Sequence, residues 1–200
     1  PILLALIIMA LSAGRAYSQL DTFSTGNLHY RITSGSSVAV SAIDRRMSGN
    51  VAIPQTVKHG GAAYSVTSID PKGFAGCNGI KSIVLPSSIS DIGEAAFKHC
   101  GNLNTINIPY SVKEIKDETF EGCAFLTGIT VPDGVAAIGS GAFRDCQRLM
   151  RFIVPDGCLS LGDEALAGCS KLQVVAFPAK TRHIGRNALK GCCELQRFAI

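Results

Sequence analysis

The chain has 200 residues, and with 46% hydrophobic and 17% charged side chains it reads as a folding polypeptide, which excludes intrinsic disorder. A formal charge of +4 is too mild for the concentrated basic stripe that nucleic-acid binding needs. The lack of tryptophan excludes a core built on indole rings, while eight cysteines pose the question of a disulfide framework, which only their positions can answer.

Ile2 to Leu11 is an unbroken apolar run, about half the ~20 residues needed to span a bilayer. Its length suits the apolar region of a signal peptide, and Ala16-Tyr17-Ser18 offers small residues where a signal peptidase reads. Cleavage before Gln19 is expected, making 1–18 a cleavable leader whose basic n-region is missing, since the sequence starts at Pro1 without Met. No cysteine follows the run, so no lipid anchor is expected, and its shortness makes stable membrane insertion unexpected as well. Beyond it, Leu28-His29-Tyr30-Arg31-Ile32 and Val38-Ala39-Val40 alternate as strands do, and Lys58-His59-Gly60-Gly61 suggests a hairpin.

From Ile69 onward the sequence repeats. Cys77, Cys100, Cys123, Cys146, Cys169 and Cys192 follow one another at a constant step of 23 residues. Other columns keep that step: Ile69, Ile92, Ile115, Ile138, Leu161, Ile184; Phe74, Phe97, Phe120, Phe143, Leu166, Leu189; Ile80, Leu103, Leu126, Leu149, Leu172, Leu195. Prolines 86, 109, 132, 155 and 178 form another. The unit is I-G-x-x-A-F-x-G-C-x-x-L-x-x-I-x-L-P-x-x-V-x-x. One such unit cannot bury its own apolar columns, but stacked units turn them into continuous ladders, so the expected fold is an α/β solenoid.

Each unit divides in two. Leu103-Asn104-Thr105-Ile106-Asn107-Ile108 is typical of a short strand with one inward face, ended by Pro109. These strands are expected to form a parallel sheet on the concave side. Ile92-Gly93-Glu94-Ala95-Ala96-Phe97-Lys98-His99-Cys100 has apolar spacing suited to a helical turn or two, expected on the opposite side. The residue before each ladder cysteine is Gly76, Gly122, Gly168 or Gly191, or else His99 or Asp145, types that tolerate positive φ.

The L-x-x-I-x-L spine, and in fuller form I-P-Y-S-V-K-E-I-K-D-E-T-F-E-G-C-A-F-L at 108–126, closely resembles BspA-type leucine-rich repeats over 69–200. The resemblance implies a β-rich leader ahead of the repeats, which fits 19–68. Val51-Ala52-Ile53-Pro54 there reads as a degenerate repeat end, and the segment is expected to cap the apolar end of the first coil. Ile200 falls mid-unit, so the last repeat is truncated and further sequence is expected.

With the columns fixed, the ladder cysteines Cys77, Cys100, Cys123, Cys146, Cys169 and Cys192 are expected to point into the stack as small buried hydrophobes rather than disulfides. Cys158 joins the column of Ile89, Val112 and Val135 and is also expected inside. Cys193 shares a column with Asn78, Gly101, Ala124, Gln147 and Ser170, which gives it a surface address as an exposed thiol. Neither these cysteines nor His29, His59, His99 and His183 have zinc-ligand spacing, and the columns separate His99 at a turn from Cys100 inside. No catalytic residue, cofactor or metal is expected, and the chain reads as a non-enzyme.

Outward on the strands stand Ser82, Val84, Thr105, Asn107, Gly128, Thr130, Arg151, Ile153, Val174, Ala176, Arg197 and Ala199, the candidate concave binding face. Arginine mixed with aliphatic residues suits a protein partner better than a sugar, for which aromatic platforms would be expected. Residues 1–143 hold ten Lys or Arg against ten Asp or Glu, whereas 144–200 hold nine against five, so the net charge lies at the far end. The resemblance implies a secreted or surface scaffold for protein binding, with adhesion to host or matrix proteins as its use. The alternatives are a structural spacer or an accessory domain of a larger exported protein.

Overall fold

The computed structural model describes residues 22–199; the apolar run and the expected cleavage point lie outside them. The chain forms β1 (Thr22–Thr25), β2 (Leu28–Ser34), β3 (Ser37–Ala42), β4 (Ser48–Ala52), β5 (Thr56–His59), β6 (Ala62–Ile69), β7 (Gly79–Val84) and β8 (Asp91–Ile92). There follow β9 (Thr105–Ile106), β10 (Glu114–Ile115), β11 (Ala137–Ile138), β12 (Arg151–Ile153), β13 (Ser160–Leu161), β14 (Val174–Ala176), β15 (His183–Ile184) and β16 (Arg197–Ala199).

Of the first six strands, all but β4 belong to hairpins. β1, β2 and β3 pair antiparallel in sequence, and β5 and β6 close a hairpin over Gly60 and Gly61 with φ of +56° and +81°, a turn whose two central residues both need positive φ. Phe23 stacks on His59 at 4.2 Å, tying the first hairpin to the last. From here pairing turns parallel: β3 joins β6, β6 joins β8, and β4 joins β7. β3 and β4 thus supply the neighbours that a preceding coil would have supplied.

Along the repeats the L-x-x-I-x-L strands pair in parallel at the 23-residue step, as in Arg151↔Val174↔Arg197. A second parallel sheet comes from the isoleucine column, with Ile115↔Ile138↔Leu161↔Ile184. Between the two lies the core. Phe74, Phe97, Phe120 and Phe143 are wholly buried and stack ring on ring at 5.3 to 5.6 Å. Each such side chain taken from water stabilises the fold by roughly 1.5–3 kcal/mol.

The expected helical turns are absent: among the described residues there is no helix. The stretch from Ile92 to Cys100 is a two-residue strand followed by consecutive turns. Two positions per unit, four residues apart, have left-handed backbone: Lys72 and Gly76, Ala95 and His99, Glu118 and Gly122, Gly141 and Asp145, Glu164 and Gly168, Asn187 and Gly191. A right-handed helix cannot pass through such residues. Amides of the stretch instead reach the next coil, as in Ala95 N–H to Asp117 C=O (2.9 Å), Phe97 N–H to Thr119 C=O (2.9 Å) and His99 N–H to Glu121 C=O (2.6 Å). Apolar spacing alone fits both arrangements; stacking at one coil per unit selects the one that satisfies the backbone between coils.

Candidate functional site

The alternation expected for the strands is present. Ile83, Ile106, Phe152 and Val175 point inward and are buried, while Val84, Thr105, Asn107, Gly128, Thr130, Arg151, Ile153 and Arg197 are exposed and Ser82, Val174 and Ala176 half-buried. These outward residues do not form one uniform surface. The sheet is interrupted: β4, β7 and β9 form one half and β12, β14 and β16 the other, with Gly128–Thr130 unpaired between them.

A second irregularity lies on the far side of the same coil. Gly93, Gly139, Gly162 and Gly185 occupy one column, where a Cβ would stand under 3.0 Å from backbone of the preceding coil. That absence lets each donate its N–H across the seam, to Ile69, Ile115, Ile138 and Leu161 respectively. The matching residue of the Ile115 coil is Lys116, whose side chain pairs with Asp91 at 2.6 Å. No hydrogen bond from Lys116 N–H to Ile92 is formed, and β8 and β10 do not pair. The turn side of that seam stays closed, by the amide bonds of Ala95, Phe97 and His99 and by Lys98, which pairs with Glu118 at 2.8 Å and with buried Glu121 at 3.1 Å. The Lys98 ammonium holds the Glu118 carboxyl below its ordinary value.

At the interruption lies a groove of about 1040 Å³. Ile106, Ile108 and Val131 line it as buried floor, Ile153 stands in its wall, and Thr105, Asn107, Gly128, Thr130 and Arg151 are also part of it. Six outward residues of the expected binding face are therefore brought together, whereas Ser82, Val84, Val174, Ala176 and Arg197 lie outside the lining. Ser82 is engaged elsewhere, donating to Asn50 Oδ1 at 2.9 Å. Sequence reasoning passed over the lip, where Tyr110, 85% exposed, and Asp133 follow Pro109 and Pro132. Tyr110 was visible as a large aromatic in a column otherwise holding Ser87, Asp133, Asp156 and Ala179.

The cysteines stand inside. Cys100, Cys123, Cys146 and Cys169 are fully buried, Cys77 nearly so, and Cys192 half-buried in the last described coil. All eight are free thiols, and Cys193 is exposed. Cys100, Cys123, Cys146, Cys169 and Cys192 donate S–H to the main-chain carbonyl 26 residues earlier, at 3.0 to 3.3 Å. At the first coil Cys77 turns to the Asp44 carbonyl of the leader instead, at 3.9 Å. Buried Cys158 donates to Ser160 C=O at 3.2 Å.

Residues 67–196 match the BspA-type leucine-rich repeat region in six copies. The chain belongs to the BspA-type leucine-rich repeat family. Solved structures agree with that membership. A leucine-rich repeat protein from Bacteroides ovatus is 28% identical, with a TM-score of 0.74 over 89% of this chain and 52% of its own. The Treponema protein, described as T. pallidum leucine-rich repeat protein, is 26% identical over 86% of this chain and 90% of its own, with a TM-score of 0.68. A leucine-rich cell surface protein from Faecalibacterium prausnitzii, 23% identical, shares the fold at a TM-score of 0.69 over 92% of this chain and 55% of its own. The chain thus spans about half the length of the Bacteroides and Faecalibacterium proteins, 52% and 55%. No curated protein sequence matches significantly. Among the described residues no helix is long and apolar enough to cross a membrane.

Proposed function

We propose that this BspA-type repeat chain is a non-enzymatic scaffold that binds protein ligands on the outward face of its sheet, exported by residues 1–18 and displayed at or released from the cell surface. Residues 19–68 act as the cap of a solenoid built from 69–200. The observation that carries the binding reading is the groove: apolar floor, polar and charged lip, on the part of the sheet where strand pairing is interrupted among the described residues. A concave, largely apolar surface with a few convergent polar groups is the usual form of a binding site. The description of the Faecalibacterium relative as a cell surface protein supports the location. Adhesion to matrix proteins is the use the reading favours, with many modest contacts multiplied when copies are displayed together.

The test is binding of the repeat chain to immobilised fibronectin, fibrinogen and collagen. Replacing Thr105, Thr130, Arg151 and Ile153 together by Glu should abolish capture while leaving the melting temperature within a few degrees, since all four are exposed. Capture that survives this pooled change overturns the outward face as the binding surface, and a parent chain that captures none of the three favours a spacer.

A further inference from the structure

We infer that the groove receives the apolar face of a short amphipathic α-helix from a protein partner, about three turns long, lying along the strands with its N-terminal end at Asp133 and its C-terminal end at Arg151; this rests on the protein-binding reading above. The groove's main chain is unavailable to a ligand. Its coils stand at one-coil spacing, fixed beside it by Phe125 N–H to Gly101 C=O (3.0 Å) and Met150 N–H to Thr127 C=O (3.5 Å). The main-chain groups of 128–130 therefore face the flanking coils, and recognition falls to side chains. The Asn107 amide is spent as well, accepting from Leu85 N–H through Oδ1 and donating to Leu85 C=O through Nδ2, both at 2.8 Å. A polypeptide entering here leaves water without gaining a main-chain partner, and buried N–H and C=O groups left unpaired are costly. An α-helix satisfies its main chain within its own segment and presents side chains alone.

The dimensions agree with such an occupant. Strand segments of three successive coils, at 105–108, 128–131 and 151–153, line the groove. Two coil-to-coil steps of about 4.8 Å make it roughly 10 Å across, the diameter of a helix with its side chains. Along the strands, the steps from Gly128 to Asp133 measure roughly 16 Å, which a helix covers in about 11 residues. The floor of Ile106, Ile108 and Val131 and the wall at Ile153 are apolar, so they match the stripe that a helix carries at i, i+3, i+4 and i+7.

Charge sets the direction. Arg151 and Asp133 both line the groove, and neither takes part in an ion pair among the described residues. Arg151 opens its strand, while Asp133 follows the strand segment of its own coil, so the parallel coils place the cation at one end of the groove and the carboxylate at the other. A helix carries about half a positive charge at its N-terminus and half a negative charge at its C-terminus. Running opposite to the strands, it meets the opposite charge at both ends; reversed, it meets like charge at both. Tyr110, in the same column as Asp133 and 85% exposed, offers its ring to the first turn.

The probe is a library of fluorescent capped peptides of about 12 residues, held helical by a hydrocarbon staple on the polar face and read by anisotropy. Leu, Ile, Val or Phe occupy i, i+3, i+4 and i+7, and Glu, Gln or Lys stand in the first and last turns. Members with Glu in the last turn should bind about two- to five-fold more tightly than those with Lys there, and Arg151→Glu should invert that preference. A photo-crosslinking residue at the N-terminus of the best member should attach near Tyr110 or Asp133, and one at its C-terminus near Arg151, as mapped by mass spectrometry. Ile153→Glu should weaken binding about ten-fold or more with little change in melting temperature, whereas Lys171→Ala, outside the groove, should leave binding unaltered. The same residues reordered to alternate apolar and polar, without the staple, should bind weakly. A library without a binder, equal binding of the alternating sequences, or crosslinks in the reverse order overturns the docked helix. If that happens while the pooled Glu variant still loses matrix-protein capture, the scaffold reading stands without it; if the pooled variant keeps capture, the outward face falls as the binding surface.

Discussion

Raising the pH should weaken this fold through its buried thiols. Cys100, Cys123, Cys146 and Cys169 have no exposed surface, and each S–H is donated to a main-chain carbonyl. Burial pushes the Cys100 thiol up to about 12 and raises the other three as well, from an ordinary value of 9.0. The unfolded chain sheds these protons above pH 9 while the folded chain keeps them, so the folded state binds more protons and stability falls as pH rises. At pH 10 the imbalance costs about 1 to 2 kcal/mol per thiol, given about 1.4 kcal/mol for each pKa unit. Four thiols together approach roughly 5 kcal/mol, comparable with the whole stability of many domains. The assay is urea unfolding followed by far-ultraviolet circular dichroism under reductant, at pH 7 and pH 10, for the parent and Cys123→Ala. At pH 7 the alanine should destabilise by about 1 to 2 kcal/mol, through the lost S–H bond and a small void. At pH 10 the penalty should nearly vanish, because only the parent then carries the cost of protonating that site on folding. Titration of tyrosines and lysines is common to both proteins and cancels. A Cys123→Ala penalty that is the same at both pH values refutes the linkage.

Phe120→Ala should cost roughly 3–5 kcal/mol in urea unfolding, because the stacked rings of Phe97 and Phe143 on either side cannot refill the space; a negligible loss would mean the ring column carries no load. Brief N-ethylmaleimide treatment of the folded chain followed by mass spectrometry should label Cys193, with equal modification of all eight cysteines, or of none, counting against the assigned faces. Lys72→Gly should stabilise by up to about 1 kcal/mol in thermal melts, since Lys72 is exposed and held at φ +57°, a backbone costly for residues with a Cβ; a loss would mean that the side chain matters more than the strain.

The columns were legible because repetition multiplies weak signals: a single Phe97 says little, but Phe74, Phe97, Phe120 and Phe143 in phase specify a ladder, and the rings stack. The left-handed position before each cysteine was legible for a similar reason, four of its six residues being glycine. The second left-handed position was hidden, because Lys72, Ala95, Glu118 and Glu164 carry no local signal for it. Its φ is imposed by hydrogen bonds to the next coil, which no window of one unit contains, and the apolar spacing of Ile92, Ala95, Ala96 and Cys100 imitated a helix instead. The binding face was legible as alternation, which gives the direction of side chains. It could not give the break at Gly128–Thr130, because that segment carries the same alternation as the paired strands on either side.

That break is tolerated because the two sides of each coil perform different work. On the turn side, inter-coil bonds continue through the separated seam, and ion pairs reinforce them there and beyond: Lys98 reaches forward to Glu118 and Glu121, and Arg144 reaches back to Glu121 at 2.9 Å and forward to Glu164 at 2.8 Å. The thiol ladder runs through the same region without a gap, Cys123 to Phe97 and Cys146 to Phe120. Stack integrity is thereby carried by turns, rings and thiols. The sheet side is unpaired at Gly128–Thr130, and the groove lies there. In this fold a local departure from the repeat is therefore the feature to follow when seeking function, since the groove lies where the strand pairing lapses.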